Sequence, residues 1–304
     1  MNPKNNILIV GGTGFIGYHL AKQSLKKGWR VTSISTNPPK KIRYLSKVKY
    51  IRCDITNKKL LKRSIREPFD YVVNLGGYVD HSNRKKTFKS HYEGCKNLSD
   101  IFLKKIPLSF VQIGSSLEYG NSNSPQKENI RCSLKSIKSI YGRAKLLSSR
   151  YMIELFKKKK FPSTVLRLYL VYGPRQDANR FLPITIKGCL KNRKFPCSKG
   201  DQLRDFVHVE DAVKAIIRAL TNKNARGQII NIGSGRPKKI KNVIEKVKKI
   251  SKGGFPQYGM FKVRKFEVPK LYPNIEKAKK KIDWKPKISF EKGLTRTINS
   301  FKNI

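Results

Sequence analysis

The chain has 304 residues, of which 68 are lysine or arginine and 19 aspartate or glutamate, giving a formal net charge of +49 at pH 7. That length can bury a large core, and apolar residues, 38% of the total, recur in bursts from end to end, which excludes wholesale disorder. Apolar runs such as "NNILIVGG" fall far short of the roughly 20 residues of a membrane span, and no membrane partner is expected.

The charge alone would suggest a nucleic-acid binder, but its make-up argues against one. Only 19 of the basic residues are arginine and 49 are lysine, scattered through nearly every helix and loop. Nucleic-acid grooves favour guanidinium groups interleaved with aromatics, because these read phosphate bidentately and stack on bases. Dispersed lysine is a solvated surface that attracts anionic small ligands. The five cysteines (Cys53, Cys95, Cys132, Cys189 and Cys197) are odd in number and lack CxxC spacing, as expected of reduced thiols. "MNPKNN" runs straight into a strand, so no signal peptide is expected. The expectation is a cytoplasmic protein without a zinc site.

Strands are predicted at 6–10, 30–35, 48–54, 71–77, 109–115 and 163–173, and helices at 15–27, 58–65, 91–104 and 138–160. This alternation makes βαβ units and an α/β fold with a doubly wound parallel sheet covered on both faces. Past residue 173 the rhythm loosens, although "QIINIGSG" (228–235) reads as one more buried strand. The expected organisation is a dinucleotide-binding domain over 1–173, to which 205–235 returns. A smaller interleaved substrate region covers 174–204 and 236–304, at the carboxyl edge of the sheet where such folds bind ligands.

Gly11, Gly14 and Gly17 lie at the first strand–helix junction, where a dinucleotide pyrophosphate meets backbone N–H groups and the helix dipole. In "YGRAK", Tyr141 and Lys145 are four residues apart on one helical face. An ammonium beside a phenol favours the phenolate. Serving as a base at neutral pH requires a tyrosine pKa to fall by roughly 3 units, or about 4 kcal/mol. "IGSSLEYG" ends a strand at the same edge of the sheet with Ser115 and Ser116, either of which could hydrogen-bond a carbonyl or alcohol beside Tyr141; their plain alternative is capping.

With these motifs in this order, the sequence resembles an extended short-chain dehydrogenase/reductase of the nucleotide-sugar epimerase, dehydratase and ketoreductase group. The likeness rests on "GGTGFIG" (11–17), "CDI" (53–55), "GSSLEYG" (114–120), "YGRAK" (141–145), "LRLYLVYGPRQ" (166–176), "RDFVHVEDAV" (204–213) and "NIGSG" (231–235). It implies a Rossmann-type fold with the cofactor on Gly11, Thr13, Gly14, Phe15, Ile16 and Gly17. Asp54 and Ile55 would line the adenine pocket, and Leu75, Gly76 and Gly77 the middle of the cofactor. Tyr141 would be the acid/base, Lys145 would hold the cofactor ribose and tune Tyr141, and Ser115 would complete the triad with Ser116 as its neighbour. Arg204 would grip the phosphates of a nucleotide-diphosphate sugar. A homodimer paired through two helices is common in such a family, though no clean apolar stripe marks that face.

Three departures refine this reading. Dehydratases of the group follow the catalytic hydroxyl with an Asp-Glu pair, whereas Ser116 and Leu117 stand here, and a strand's alternation would turn Glu118 to the other face. Leu170 and His91 replace asparagines frequent in the family. The second strand ends in Ser35 and Thr36 with no carboxylate, and Lys40 and Lys41 follow, which favours NADP(H) over NAD(H). Asp80 and His81, in the loop after the fourth strand, are candidate substrate contacts. The expected activity is NADPH-dependent reduction of a nucleotide-linked 4-keto-6-deoxy sugar. The nearest rival is a nucleotide-sugar 4-epimerase with retained NAD, and the remote one a non-catalytic nucleic-acid-binding relative.

Overall fold

The computed structural model describes residues 5–261 and 267–302. The N-terminal half runs β1 (Asn6–Val10), α1 (Phe15–Lys26), β2 (Arg30–Ser35), β3 (Val48–Arg52), α2 (Lys58–Ser64), β4 (Tyr71–Asn74), α3 (Arg84–Phe88), α4 (Gly94–Phe102), β5 (Ser109–Ser115), α5 (Ile140–Lys159) and β6 (Ser163–Leu168). The remainder runs β7 (Leu170–Tyr172), α6 (Phe181–Leu190), β8 (Lys194–Pro196), β9 (Leu203–Arg204), β10 (Phe206–His208), α7 (Val209–Thr221) and β11 (Ile229–Ile232). It closes with β12 (Lys238–Lys239), α8 (Ile240–Ser251), β13 (Phe255–Gln257), β14 (Lys270–Leu271), α9 (Glu276–Ile282) and α10 (Phe290–Lys302). Among the described residues no helix is long and apolar enough to cross a membrane.

The main sheet has seven parallel strands in the order β11-β6-β5-β4-β1-β2-β3. Every residue of β1, β4, β5 and β6 is buried, as expected of strands with helices on both faces. From β1 the chain winds one way to β2 and β3, then returns to place β4 on the other side. Strand order therefore reverses between β1 and β4, and a crevice opens above their carboxyl ends. One face is covered by α1 and α7, whose Leu20, Val213, Ile216 and Leu220 join the apolar side chains of the sheet. The other is covered by α4 and α5 through Leu98, Phe102, Met152 and Leu155.

Several boundaries depart from the sequence expectation. The strand expected at 163–173 breaks at Tyr169, whose N–H bonds the Ile232 carbonyl while the next N–H bonds that of Asp205. The chain thus leaves the main sheet, and β7 pairs with β10 in a separate two-stranded ribbon. The strand expected at 71–77 stops at Asn74, because the Asn74 side chain takes the Gly76 N–H at 3.0 Å and ends the ladder. The helix expected at 91–104 begins earlier, with α3 running into α4 through a π-turn over Lys89–Glu93. Such turns insert an extra residue and concentrate at functional positions.

Beyond residue 173 the structure is far more helical than the loosened rhythm suggested. Leu182, Ile186, Val243, Ile244, Val247, Leu294 and Ile298, from α6, α8 and α10, form their own cluster with Phe206. Asp211 in the first turn of α7 anchors the C-terminal segment. Its carboxylate accepts the N–H groups of Lys287 (3.0 Å) and Ile288 (2.8 Å), and its carbonyl accepts from the Trp284 indole (3.0 Å). Bonds to a charged acceptor contribute about 1.5–3 kcal/mol each. Asp211→Ala should therefore lower the unfolding free energy by at least about 2 kcal/mol, measurable as a shifted urea midpoint at constant m-value.

Candidate active site

The crevice is lined on the β1 side by a tight glycine turn. Gly11 has a φ of +81°, its N–H bonds the Ile34 carbonyl at 2.7 Å, and the Gly14 N–H closes back on the Gly11 carbonyl at 3.1 Å. A Cβ on Gly17 would stand 2.6 Å from the Gly12 Cα, and one on Gly76 would stand 2.8 Å from the Val10 side chain. The two loops are thus packed backbone to backbone, with no room for side chains beneath a ligand. Helix α1 starts at Phe15, followed by Ile16, and its N-cap Gly14 makes no side-chain cap bond, which leaves the first-turn N–H groups suited to an anionic ligand. This cradle fits the pyrophosphate of a dinucleotide. Across from it run Leu75, whose N–H bonds the Val10 carbonyl, then Gly76 and Gly77.

At the outer end of the crevice, Ser35 closes β2, and its hydroxyl accepts the Thr13 N–H at 3.4 Å. The carbonyl of Thr36 accepts from Arg52 at 3.1 Å. Asp54 follows β3 with its carboxylate on the Thr56 N–H (2.8 Å), and buried Ile55 packs beneath Gly76 and Gly94. Lys40 does not stand free: its ammonium lies 3.3 Å from Asp177, which also pairs with buried Arg43 at 3.0 Å.

The reactive groups converge at the inner end. Ser139 caps α5 by accepting the Gly142 N–H (3.0 Å), which sets Tyr141 and Lys145 on its first turns. Lys145 is buried, with its ammonium donating to the Ile113 carbonyl at 2.7 Å and lying 5.8 Å from the centre of the Tyr141 ring. The Ser115 hydroxyl accepts the Leu117 N–H at 3.2 Å and so caps the turn that buried Ser116 opens. Burial pushes Tyr141 up to about 12, the nearby Ser115 hydroxyl opposes this, and Glu118 adds to it. Burial pulls Lys145 down to about 8, against the nearby Glu118 carboxylate, which raises it. At neutral pH the pair is a protonated phenol beside an ammonium.

Two histidines flank Tyr141. His81 stacks on its ring at 4.1 Å and 15°, and His91 meets it edge-on at 4.9 Å. His91 lies in the π-turn directly beneath Gly77, where burial and the Lys145 charge hold it down to about 2, a neutral ring. Its Nε2 pairs with the Tyr78 carbonyl at 3.2 Å, and Nδ1 has no partner among the described residues. Asp80 is instead bound into its own exposed loop by the Ser82 N–H (3.1 Å) and hydroxyl (2.7 Å), which hold its carboxyl below the usual range. Arg204 is buried and engaged, donating to Glu267 at 2.6 Å and to the Leu203 carbonyl at 2.8 Å.

Glu118 corrects the expectation drawn from strand alternation. Residues 116–119 form a 3-10 turn, which folds its side chain under the strand end. There it accepts the Ser115 N–H (2.8 Å) and pairs with Arg167 (2.8 Å), in a bridge whose side chains are 0% and 3% exposed. The Ser-x-x-Glu spacing of a capping box was the signal in the sequence.

A family model described as "NAD dependent epimerase/dehydratase family" matches residues 7–233. The UDP-N-acetyl-alpha-D-glucosaminuronate decarboxylase of Bacillus cytotoxicus is 27% identical, over 99% of this chain and 99% of that protein. The UDP-glucose 4-epimerase of Thermotoga maritima, solved with UDP-glucose, superposes with a TM-score of 0.91 at 26% identity, covering 98% of this chain and 99% of that one. The UDP-glucuronic acid 4-epimerase of Bacillus cereus, solved with UDP-glucuronic acid and NAD, gives 0.87 at 26% identity with the same coverage.

The Glu118–Arg167 bridge makes the site sensitive to one-sided substitution. Arg167→Met leaves a buried carboxylate unpaired and should cost about 3–5 kcal/mol of stability. Joint replacement by Glu118→Gln and Arg167→Met should cost less than the single change, as read from chemical denaturation of the three proteins.

Proposed function

Because the chain belongs to the NAD dependent epimerase/dehydratase family and is an enzyme of that nucleotide-sugar kind, we propose that it reduces the 4-keto group of a nucleotide-diphosphate-linked 4-keto-6-deoxyhexose, with NADPH favoured as reductant. The observation that carries this reading is the end of β2. Ser35 and Thr36 offer hydroxyls where an NAD-selective relative would offer a carboxylate to the ribose. A carboxylate there would repel a 2′-phosphate, and hydroxyls accept it. A dinucleotide drawn from the NADP(H) pool suits net reduction rather than a retained redox couple.

The reactive end has the groups that such a reduction requires. When bound, the reduced nicotinamide supplies the hydride. Tyr141, protonated at neutral pH, is the acid that gives its proton to the oxygen becoming an alcohol, and Ser115 donates a hydrogen bond to that oxygen. Lys145 keeps a positive charge beside the phenol as its proton leaves. Elimination of water would require a further acid or base after Ser115, and Leu117 supplies none.

The test is purified protein with NADPH and a nucleotide-linked 4-keto-6-deoxyhexose. Steady loss of absorbance at 340 nm is expected, whereas tightly retained NAD with interconversion of sugars and no net cofactor change would assign a 4-epimerase instead. Tyr141→Phe should lower kcat by at least about 100-fold. The rate should also fall on the alkaline side through an apparent pKa near 8, because Lys145 is charged below that value and neutral above it. A profile flat to pH 10 would remove the Lys145 charge from the mechanism.

A further inference from the structure

We propose that Arg52, fastened to the Thr36 carbonyl at the end of β2, forms with Ser35 and Thr36 the seat of the adenosine 2′-phosphate and sets the preference for NADP(H) over NAD(H). This rests on the functional reading above, which concerns the hydroxyls at this strand end and leaves the cation unassigned.

The placement follows from register. Ser35 and Arg52 are direct partners in the parallel pairing of β2 and β3, so their side chains leave the sheet on the same side. That side is the glycine-turn side, because the Ser35 hydroxyl accepts the Thr13 N–H. The Arg52 Nε bond to the Thr36 carbonyl (3.1 Å) turns the guanidinium across the end of β2. Among the described residues no hydrogen bond or ion pair engages its two terminal nitrogens. Asp54, two residues further on, gives its carboxylate to the Thr56 N–H.

Two of the other local cations are committed elsewhere. Lys40 and Arg43 both pair with Asp177, and Arg43 also donates to the Arg175 carbonyl. Those two share the one carboxylate of Asp177, whereas among the described residues the Arg52 charge has no carboxylate partner. A guanidinium held by Nε presents its remaining N–H groups as a fork, a geometry suited to two phosphate oxygens at once. Hydroxyls alone would accept a ribose with or without the phosphate. The arginine supplies the discrimination.

The test measures binding, so it needs no sugar substrate. The full chain is titrated with NADPH and, separately, with NADH, following dinucleotide fluorescence, for the wild type, Arg52→Ala and Arg52→Lys. Arg52 is exposed, so these variants should melt at the wild-type temperature. The expected result is NADPH binding roughly 10- to 100-fold weaker in Arg52→Ala, NADH binding unchanged within about twofold, and an intermediate loss in Arg52→Lys. Rising salt should weaken NADPH binding by the wild type more than NADH binding. If NADPH affinity survives Arg52→Ala, or both dinucleotides weaken equally, the assignment of Arg52 is overturned while the NADPH reading stands. If the wild type binds NADH more tightly than NADPH, both fall.

Discussion

The ammonium of Lys145 on the carbonyl of Ile113, 2.7 Å apart and out of contact with water, is the interaction on which the reactive end depends. It ties the first turns of α5 to the carboxyl end of β5, fixing where Tyr141 stands relative to Ser115. The same carbonyl accepts from Gln112 at 3.1 Å, and the Gln112 side-chain oxygen accepts from Asn74 (2.8 Å) and Cys95 (3.2 Å). A connected set of polar groups therefore joins β4, β5, α4 and α5 beneath the crevice. Buried polar groups are costly when unpaired and position their neighbours firmly when satisfied. Here that firmness is applied to the Lys145 cation beside the phenol.

Burial and charge pull against each other at this point. Desolvation disfavours both ammonium and phenolate, which drives Lys145 and Tyr141 towards their neutral forms. Glu118, fixed by the Ser115 N–H and Arg167, helps Lys145 keep its proton and makes Tyr141 harder to ionise. Both effects favour a protonated phenol beside a charged lysine. The imidazole of His81 stacks on that phenol and the ring of His91 meets it edge-on, and His91, held neutral, adds no charge of its own.

The sequence made the frame legible because its signals are local and strong. Continuous apolar runs marked β1, β4, β5 and β6, and the glycines at 11, 14 and 17 marked the turn whose close packing forbids side chains. What escaped depended on partners distant in the chain. Tyr169 breaks its strand because two carbonyls, of Ile232 and Asp205, draw successive N–H groups in different directions. Arg204 looked like a free phosphate fork, yet Glu267, far along the chain, engages it. Asp80 was drawn into its own loop by Ser82. The amphipathic stretch "IKNVIEKVKKIS" carried a legible helical period, with Val243, Ile244 and Val247 buried on one face of α8. That period is masked by a background crowded with lysine.

The two ends of the crevice answer different questions. The inner end, with Tyr141, Lys145 and Ser115, can move a proton and a hydride at a carbinol carbon in either direction, so it does not choose between net reduction and epimerisation. That choice falls to groups which never touch the reacting carbon. A carboxylate after Ser115 would open the way to elimination, and Leu117 removes it. A carboxylate at the end of β2 would favour NAD, and Ser35 and Thr36 remove that as well. On the proposed reading, net direction is set at the adenosine end of the crevice, by whether the cofactor exchanges with a reducing pool, and not by the groups at the sugar.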